Sequence, residues 1–463
     1  MESRKRLDMT RRHLLRAGIV GVGAFSAAAL AGCGETQIVE VTVEKIVTQI
    51  VTVEVAPPKP QAFTLIFASW WGLESGGFGL YEQKYIDLFQ ATYPHITLEY
   101  RNWPWSEFHT KILTQAAAGT APDAFAQSNV FYPKYIKRGG ALALDEYIKS
   151  HAEVDIDDFL PISLKLSSVD GKLYGFPHIS SAWATLYNKE TLEAAGVASP
   201  NDLDAKGEWN WDSQLEMLKQ LTKRDSSGKA ETLGMGDPGL RFRSAHQWLW
   251  QNGGNALKQG SLDEFVMNSD ESAAAVQWIA DLVYVHKVAA GLGDVLVSAR
   301  ADMNQGRIGM IQTWANFSNH KGFPVDVVYP AAGPAKRVTN VHTNSLGVSS
   351  KTKYPEAALD YIALKTSKIG DRDQVEFGMG IVLRKSNLKA MTKISKEDFG
   401  VDHAEVVEEV IATGRVFDVN EFHQETIDTV NPFMEEIRDG APAKEKLDEV
   451  KPIVDEILAP MRS

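Results

Sequence analysis

The strongest constraint on this chain is a regular exchange between two hydrophobic periods. Residues 63–68 form a short apolar run suited to a buried strand, and 79–92 follow with Leu80, Tyr81, Tyr85, Leu88 and Phe89 near helical spacing. Pro94 stops that helix. Ile96, Leu98 and Tyr100 then alternate as a strand does, and a helix from Ser106 places Phe108, Ile112 and Ala116 on one face. Gly119 can close it in the left-handed conformation. Residues 122–126 return to a short buried strand, with further helices expected over 130–138 and 144–150. Such alternation predicts an α/β fold with mainly parallel sheets. About 400 residues follow position 61, more than one hydrophobic core usually serves, so two lobes are expected.

The N-terminal segment has a different logic. Arg4, Lys5, Arg6, Arg11, Arg12 and Arg16 face two acids and precede an apolar stretch over 17–32, the layout of a signal peptide. As a helix that stretch spans roughly 24 Å, short of the ~30 Å hydrocarbon core of a bilayer. Thr10-Arg11-Arg12-His13-Leu14-Leu15 resembles a twin-arginine motif, although adjacent arginines also occur in ordinary signals and both export routes stay open. Leu30-Ala31-Gly32-Cys33 looks like a lipobox, in which the thiol takes a diacylglycerol thioether. Cys33 has no second cysteine to pair with, so a disulfide framework is excluded.

Removing residues 1–32 takes away six bases and two acids, leaving 42 bases against 58 acids, a net charge near −16. No basic stripe remains to follow a phosphate backbone, which argues against nucleic-acid binding. Residues 37–55 are rich in Val, Ile, Thr and Glu. Val39, Val43, Ile46, Ile50 and Val53 fall at heptad spacing, which permits a short coiled coil, while the β-branched content opposes an isolated helix. Pro57-Pro58-Lys59-Pro60 ends either structure, and 33–61 read as a tether.

Several motifs in order resemble the extracellular solute-binding proteins of ATP-driven (ABC) importers, especially the class that binds sugars. They are Ala116-Ala117-Ala118-Gly119 with Pro122-Asp123, Val169-Asp170-Gly171-Lys172-Leu173-Tyr174-Gly175-Phe176-Pro177, Leu186-Tyr187-Asn188-Lys189 and Trp209-Asn210-Trp211-Asp212. Gly253-Gly254, the segment 306–314 and Tyr354-Pro355-Glu356-Ala357-Ala358 complete the set. The resemblance implies a two-lobed periplasmic-binding-protein fold, type II-like, with three hinge crossings and a ligand cleft between the lobes. Carried onto this sequence, the crossings fall near 174–178, Gln305 and Leu346. The first lobe is then 62–176 with 306–346, and the second 177–305 with 347–463. Ligand binding would close the cleft by a hinge.

Sugars offer hydroxyls at the ring edge and C–H patches on the faces, so a site needs aromatic platforms with polar groups beside them. The eleven tryptophans are a large supply. Trp71 follows the first strand and precedes Glu74 in a Gly-rich segment, and alternation implies that only one of Trp70 and Trp71 faces the ligand. Gln127, Ser128 and Asn129 end another strand. Trp183 and Tyr187 lie past the first crossing, Trp250 and Asn252 precede Gly253-Gly254, and Trp314 with Asn316 follows the strand 308–311. Trp314 matches the aromatic contact commonest in the family. Asn344, Arg241, Arg243 and Arg384 are further candidates, and an arginine in the cleft would favour an acidic sugar through a bidentate contact. Trp209 and Trp211 with Asp212 read instead as a hydrophobic helix start and its N-cap.

Competing chemistries have little support. Glu74, Asp123 and Asp237 could supply paired carboxylates for glycoside hydrolysis. Asp123 sits at a helix end, however, and Asp237 in a Gly/Pro-rich loop. The eleven histidines show no metal-ligand spacing, 155–158 lack the glycine and distal glutamate of a calcium loop, and no phosphate-cradling loop occurs. The expectation is therefore a receptor without catalytic residues, metal or cofactor, a monomer tethered outside the cytoplasmic membrane by lipid on Cys33. It takes a mono- or oligosaccharide from the periplasmic or cell-surface side and passes it to permease subunits. A non-sugar solute on the same fold, or a glycan-active enzyme, are the alternatives. Replacing Cys33 with Ala should release the protein from the membrane fraction with ligand binding intact, as fractionation and titration would read; lost binding would give Cys33 a role in the fold.

Overall fold

The computed structural model describes residues 36–41, 49–54, 60–291, 294, 298–317, 320–416 and 418–462. The leader 1–32 and Cys33 lie outside the described residues. Two compact units are present, 1–61 and 62–463. In the first, strands β1 (Thr36–Val41) and β2 (Gln49–Glu54) pair antiparallel from Thr36↔Glu54 to Val41↔Gln49. The expected tether thus carries a two-stranded ribbon and not the coiled coil its heptads permit, as its β-branched residues favour.

In the second unit β3 (Phe63–Ser69) is followed by the helix Gly77–Thr92, β4 (Ile96–Asn102), the helix Trp105–Ala118 and β5 (Ala124–Gln127). Leu65, Phe67, Phe125 and the helix residues Tyr81, Phe89, Phe108 and Ile112 are fully buried, so these strands are covered on both faces. Gly119 closes the second helix at φ 70°, the left-handed geometry expected of it. A small ribbon, β6 (Ser168–Val169) and β7 (Lys172–Leu173), leads into the thirteen-residue β8 (Phe176–Asn188).

Beyond β8 come β9 (Lys223–Arg224), β10 (Ala230–Met235), β11 (Ile308–Trp314), β12 (Val325–Val328) and β13 (Val341–Val348). All but the two short ribbons join one sheet in the order β4-β3-β5-β13-β8-β11-β10-β9, with β12 also on β8. The parallel pairs are β3 with β4 and β5, and β10 with β11. The pairs of β13 with β5 and β8, of β11 and β12 with β8, and of β9 with β10 are antiparallel. The sheet is therefore mixed, not mainly parallel as the alternation predicted. The cause is that β8 leaves the first group of strands and β13 comes back to it, so the two run in opposite directions.

Strand pairing and packing place the later segments. Gln305 leads from the helix Ala299–Asn304 into β11, which pairs with β10 and with the second half of β8. Leu346, Val348 and the helix Pro355–Lys365 pack in the core that holds Leu65, Phe67 and Phe125. The chain turns toward the other group only after Lys365, where Val375, Ile381 and Val382 join the cluster of Leu186, Ile308 and Val327. At 209–212 both tryptophans are buried as expected, but Asn210 and not Asp212 is the N-cap: its side chain accepts from the Asp212 and Ser213 amides, and Ser213 returns the bond.

One ion pair is fully enclosed. Lys365 (0% exposed) donates to Glu82 (1% exposed) at 2.5 Å, with the ammonium 4.4 Å from the Phe67 ring centre. Burial pushes the Glu82 carboxyl up and the Lys365 amine down, while each partner's charge opposes that displacement. Removing one member leaves the other stranded in an apolar core. Lys365→Met should cost about 3–5 kcal/mol in urea unfolding, and adding Glu82→Gln should restore most of it; equal stability of the single and double variants would show that the pair is not coupled.

Candidate functional site

Position 183 on β8 lies opposite position 314 on β11, so both indoles emerge on one face of the sheet. Their rings meet at 4.6 Å and 88°, and Trp314 also lies 5.6 Å from the His342 ring. The helix Phe242–Gln251 crosses this face, bringing Arg241 and Arg243 to it, while the helix His423–Arg438 brings Ile427 and Asn431. The resulting recess is about 270 Å³, lined by these residues with Ser244 and Asn340. Beneath it Gln247 bonds Gln312, and Thr339 Oγ1 donates to the Trp183 carbonyl at 2.6 Å. The Trp183 indole N–H and the Asn340 side-chain amide oxygen Oδ1 are buried with no partner inside the protein, a condition that an arriving polar solute would relieve.

A second set of unmatched polar groups lies on the first group of strands, beside the His423–Arg438 helix. Gln127, Ser128 and Asn129 end β5 fully buried, and the amide atoms of Gln127 and Asn129 and the Ser128 hydroxyl all lack a protein partner. Gln127 fits only because Gly347 faces it: a Cβ there would stand 2.1 Å from the Gln127 amide nitrogen. The turn Asn129–Phe131 packs on the His423–Arg438 helix, and ion pairs Lys134–Glu425 (2.5 Å) and Lys137–Glu421 (2.7 Å) join the two sides. Trp70, Trp105 and His109 form an aromatic cluster here, with Trp105 set at 90° to Trp70 and His109 stacked on Phe131 at 4.0 Å.

The expected residues divide. Trp183 and Trp314 line the recess, as do Arg241 and Arg243. Gln127, Ser128 and Asn129 end the strand beside it. Trp71 turns away to stack on Phe78 at 5.0 Å, so Trp70 is the indole that joins the Trp105 cluster. Glu74 is exposed in the turn before the first helix. Tyr187 is buried with its hydroxyl engaged by Ser199, Asn201 and Asp326, a packing role. Trp250 is 1% exposed, with the Arg415 guanidinium 4.5 Å above its ring, which leaves no face open in this conformation. Asn252 donates to the Glu271 carbonyl and borders a separate recess with Trp211 and Trp278. Asn316 lends its carbonyl to Arg300, and Asn344 accepts from His342 at 3.0 Å. Arg384 is buried, donating to the Thr366, Asp155 and Val154 carbonyls, and serves the fold.

Asn340, Ser244 and Asn431 went unnoticed in the sequence, where isolated polar residues carry no spacing signal. Of the carboxylates weighed for hydrolysis, Asp123 accepts from the Ile66 amide and the Thr352 hydroxyl and so clamps β3. Asp237 caps its own loop at Gly239. Among the described residues no cluster of His, Cys, Asp and Glu could hold a metal ion, and no helix is long and apolar enough to cross a membrane.

Comparison with known proteins shows the family and the fold. The sequence profile of a family described as bacterial extracellular solute-binding proteins matches residues 75–370. A putative binding protein of Brucella abortus is 28% identical over 306 residues, 62% of this chain and 69% of its own length. An arabinooligosaccharide-binding protein of Halalkalibacterium halodurans is 26% identical over 222 residues, 46% of each chain. Among solved structures, an ABC substrate-binding protein from Listeria monocytogenes in complex with cycloalternan superposes with a TM-score of 0.74 at 22% identity, covering 87% of this chain and 99% of that one. This likeness carries the two-lobed fold.

Several buried histidines are held in neutral form. Burial, then the charge of Arg243, holds His109 and His342 down at about 3 each, and burial holds His246 at about 4. An unfolded histidine titrates near 6.5. Between about pH 6.5 and 4 the unfolded chain therefore binds more protons than the folded one, and stability falls as pH drops through that window, by at most about 1.4 kcal/mol per pH unit for each residue. Denaturant unfolding from pH 7 to 4.5 should show this loss, and His109→Gln should flatten its slope; an unchanged slope would place the acid sensitivity elsewhere.

Proposed function

The chain belongs to the family of bacterial extracellular solute-binding proteins, and from that premise we propose that it captures a carbohydrate, a mono- or oligosaccharide, and delivers it to an ABC permease. The observation that carries the reading is the pair of indoles, Trp183 and Trp314, set at 88° beside buried polar atoms that have no partner. Perpendicular rings offer one face to the C–H patch of a sugar and an edge to a second ring, while the adjacent amides and hydroxyls meet its rim. The names of the relatives support this direction, since one is an arabinooligosaccharide-binding protein and one solved neighbour holds cycloalternan.

Delivery follows from the same architecture. In this reading β8 and β13 are two of the hinge crossings, the ion pairs at Lys134 and Lys137 belong to the closed form, and a permease recognises that form. The lipid on Cys33 would keep the receptor beside its transporter, outside the cytoplasmic membrane, which raises the effective concentration of the docking step.

Calorimetric titration against sugars, polyols, amino acids and peptides is the direct test. A saccharide should bind and raise the melting temperature by mass action; binding of only a non-carbohydrate would remove the sugar and leave the receptor. Trp314→Ala should weaken that binding about tenfold, or 1.4 kcal/mol, with unfolding unchanged. Undiminished affinity would take Trp314 out of the site.

A further inference from the structure

We infer that the solute is anionic: the recess is built for a saccharide bearing a carboxylate or a sulfate, held by Arg241 and Arg243. This rests on the receptor reading and narrows it to one class of sugar. The lining of the recess contains two guanidinium groups and no carboxylate. Asp237 lies 3.4 Å from Arg241 but stands on the exposed rim, outside the lining. A third guanidinium, Arg300, is fixed behind Trp314, and its bonds are to neutral acceptors, the Thr313 hydroxyl and the Trp314 and Asn316 carbonyls. The buried histidines supply no negative charge, and the field of Arg243 reaches four of them, His109, His246, His342 and His423.

The hydrogen-bonding inventory points the same way. Each hydroxyl of a neutral sugar is both donor and acceptor, so a site for one offers acceptors, commonly carboxylates, against the sugar's O–H groups. Here the guanidinium forks and the buried Trp183 indole N–H are donors only, and the lining's side-chain acceptors are the Asn340 and Asn431 amides and the Ser244 hydroxyl, none of them charged. An acceptor-only group, planar for bidentate contact, matches the guanidinium fork. The chain as a whole carries a formal net charge of −12. A positive recess on an acidic protein is thus a local feature and not a reflection of overall charge, and it would draw an anion past a repelling surface.

The test is titration of the purified full chain with uronate-containing disaccharides, hexose 6-sulfates and the corresponding neutral disaccharides at two salt concentrations. At least one acidic probe should bind about tenfold tighter than its neutral counterpart and lose affinity at high salt. The uronate and sulfate arms decide which anion is read. Arg241→Gln, at a half-exposed position, should erase most of that advantage, bringing the ratio of acidic to neutral affinity close to one with the melting temperature of the unliganded chain unchanged. Equal or tighter binding of the neutral probes, or an acidic preference untouched by Arg241→Gln, overturns the charge assignment while the saccharide receptor stands. Failure of every saccharide alongside binding of an amino acid or peptide overturns both.

Discussion

The rest of the molecule hangs on the thirteen residues of β8. Its first half is hydrogen-bonded to β13 and through it to β5 and β3, and its second half to β11 and β12. Backbone bonds of this kind cannot be dropped without leaving buried groups unsatisfied, so the strand ties the two groups of helices and strands together while its middle passes beside the recess. Trp183 sits near that middle. One of the two indoles that line the recess is therefore mounted on the strand that joins the two groups.

The polar groups around the recess follow from the same constraint. Gln127 ends β5, Asn129 opens the turn after it and Asn340 precedes β13, and each carries a buried side-chain amide oxygen with no protein partner. Leaving such groups unmatched costs roughly 1–3 kcal/mol each. A polar solute that met these groups would offset that cost. Arg241 and Arg243 add positive charge to the same lining.

Much of the fold was legible because its signals are local. The helices after β3 and β4, the left-handed end at Gly119 and the strand at 308–311 each show in periodicity or in one residue. Sheet direction did not, because it depends on which distant strand a segment pairs with: β11 could lie on either side until its register with Met310↔Tyr187 is known. The site shows the same division. Trp183 and Trp314 were found because large aromatics near strand ends are conspicuous, while Trp250 and Tyr187 look alike in sequence and differ only in being buried with satisfied or stacked partners. Asn340 and Asn431 carry no sequence signal at all, and the choice between Trp70 and Trp71 turned on Phe78.

The ribbon of β1 and β2 would change how far the proposed anchor at Cys33 could reach. Nineteen residues, 36–54, would add roughly 60 Å to a fully extended leash at ~3.3 Å per residue. Because Thr36 is paired directly with Glu54, the ribbon begins and ends at nearly the same point, about 5 Å across. Were Cys33 to carry the proposed lipid, the paired residues would add little length to its leash, and substitutions that unzip the ribbon would enlarge the volume the receptor sweeps without altering a contact in its recess.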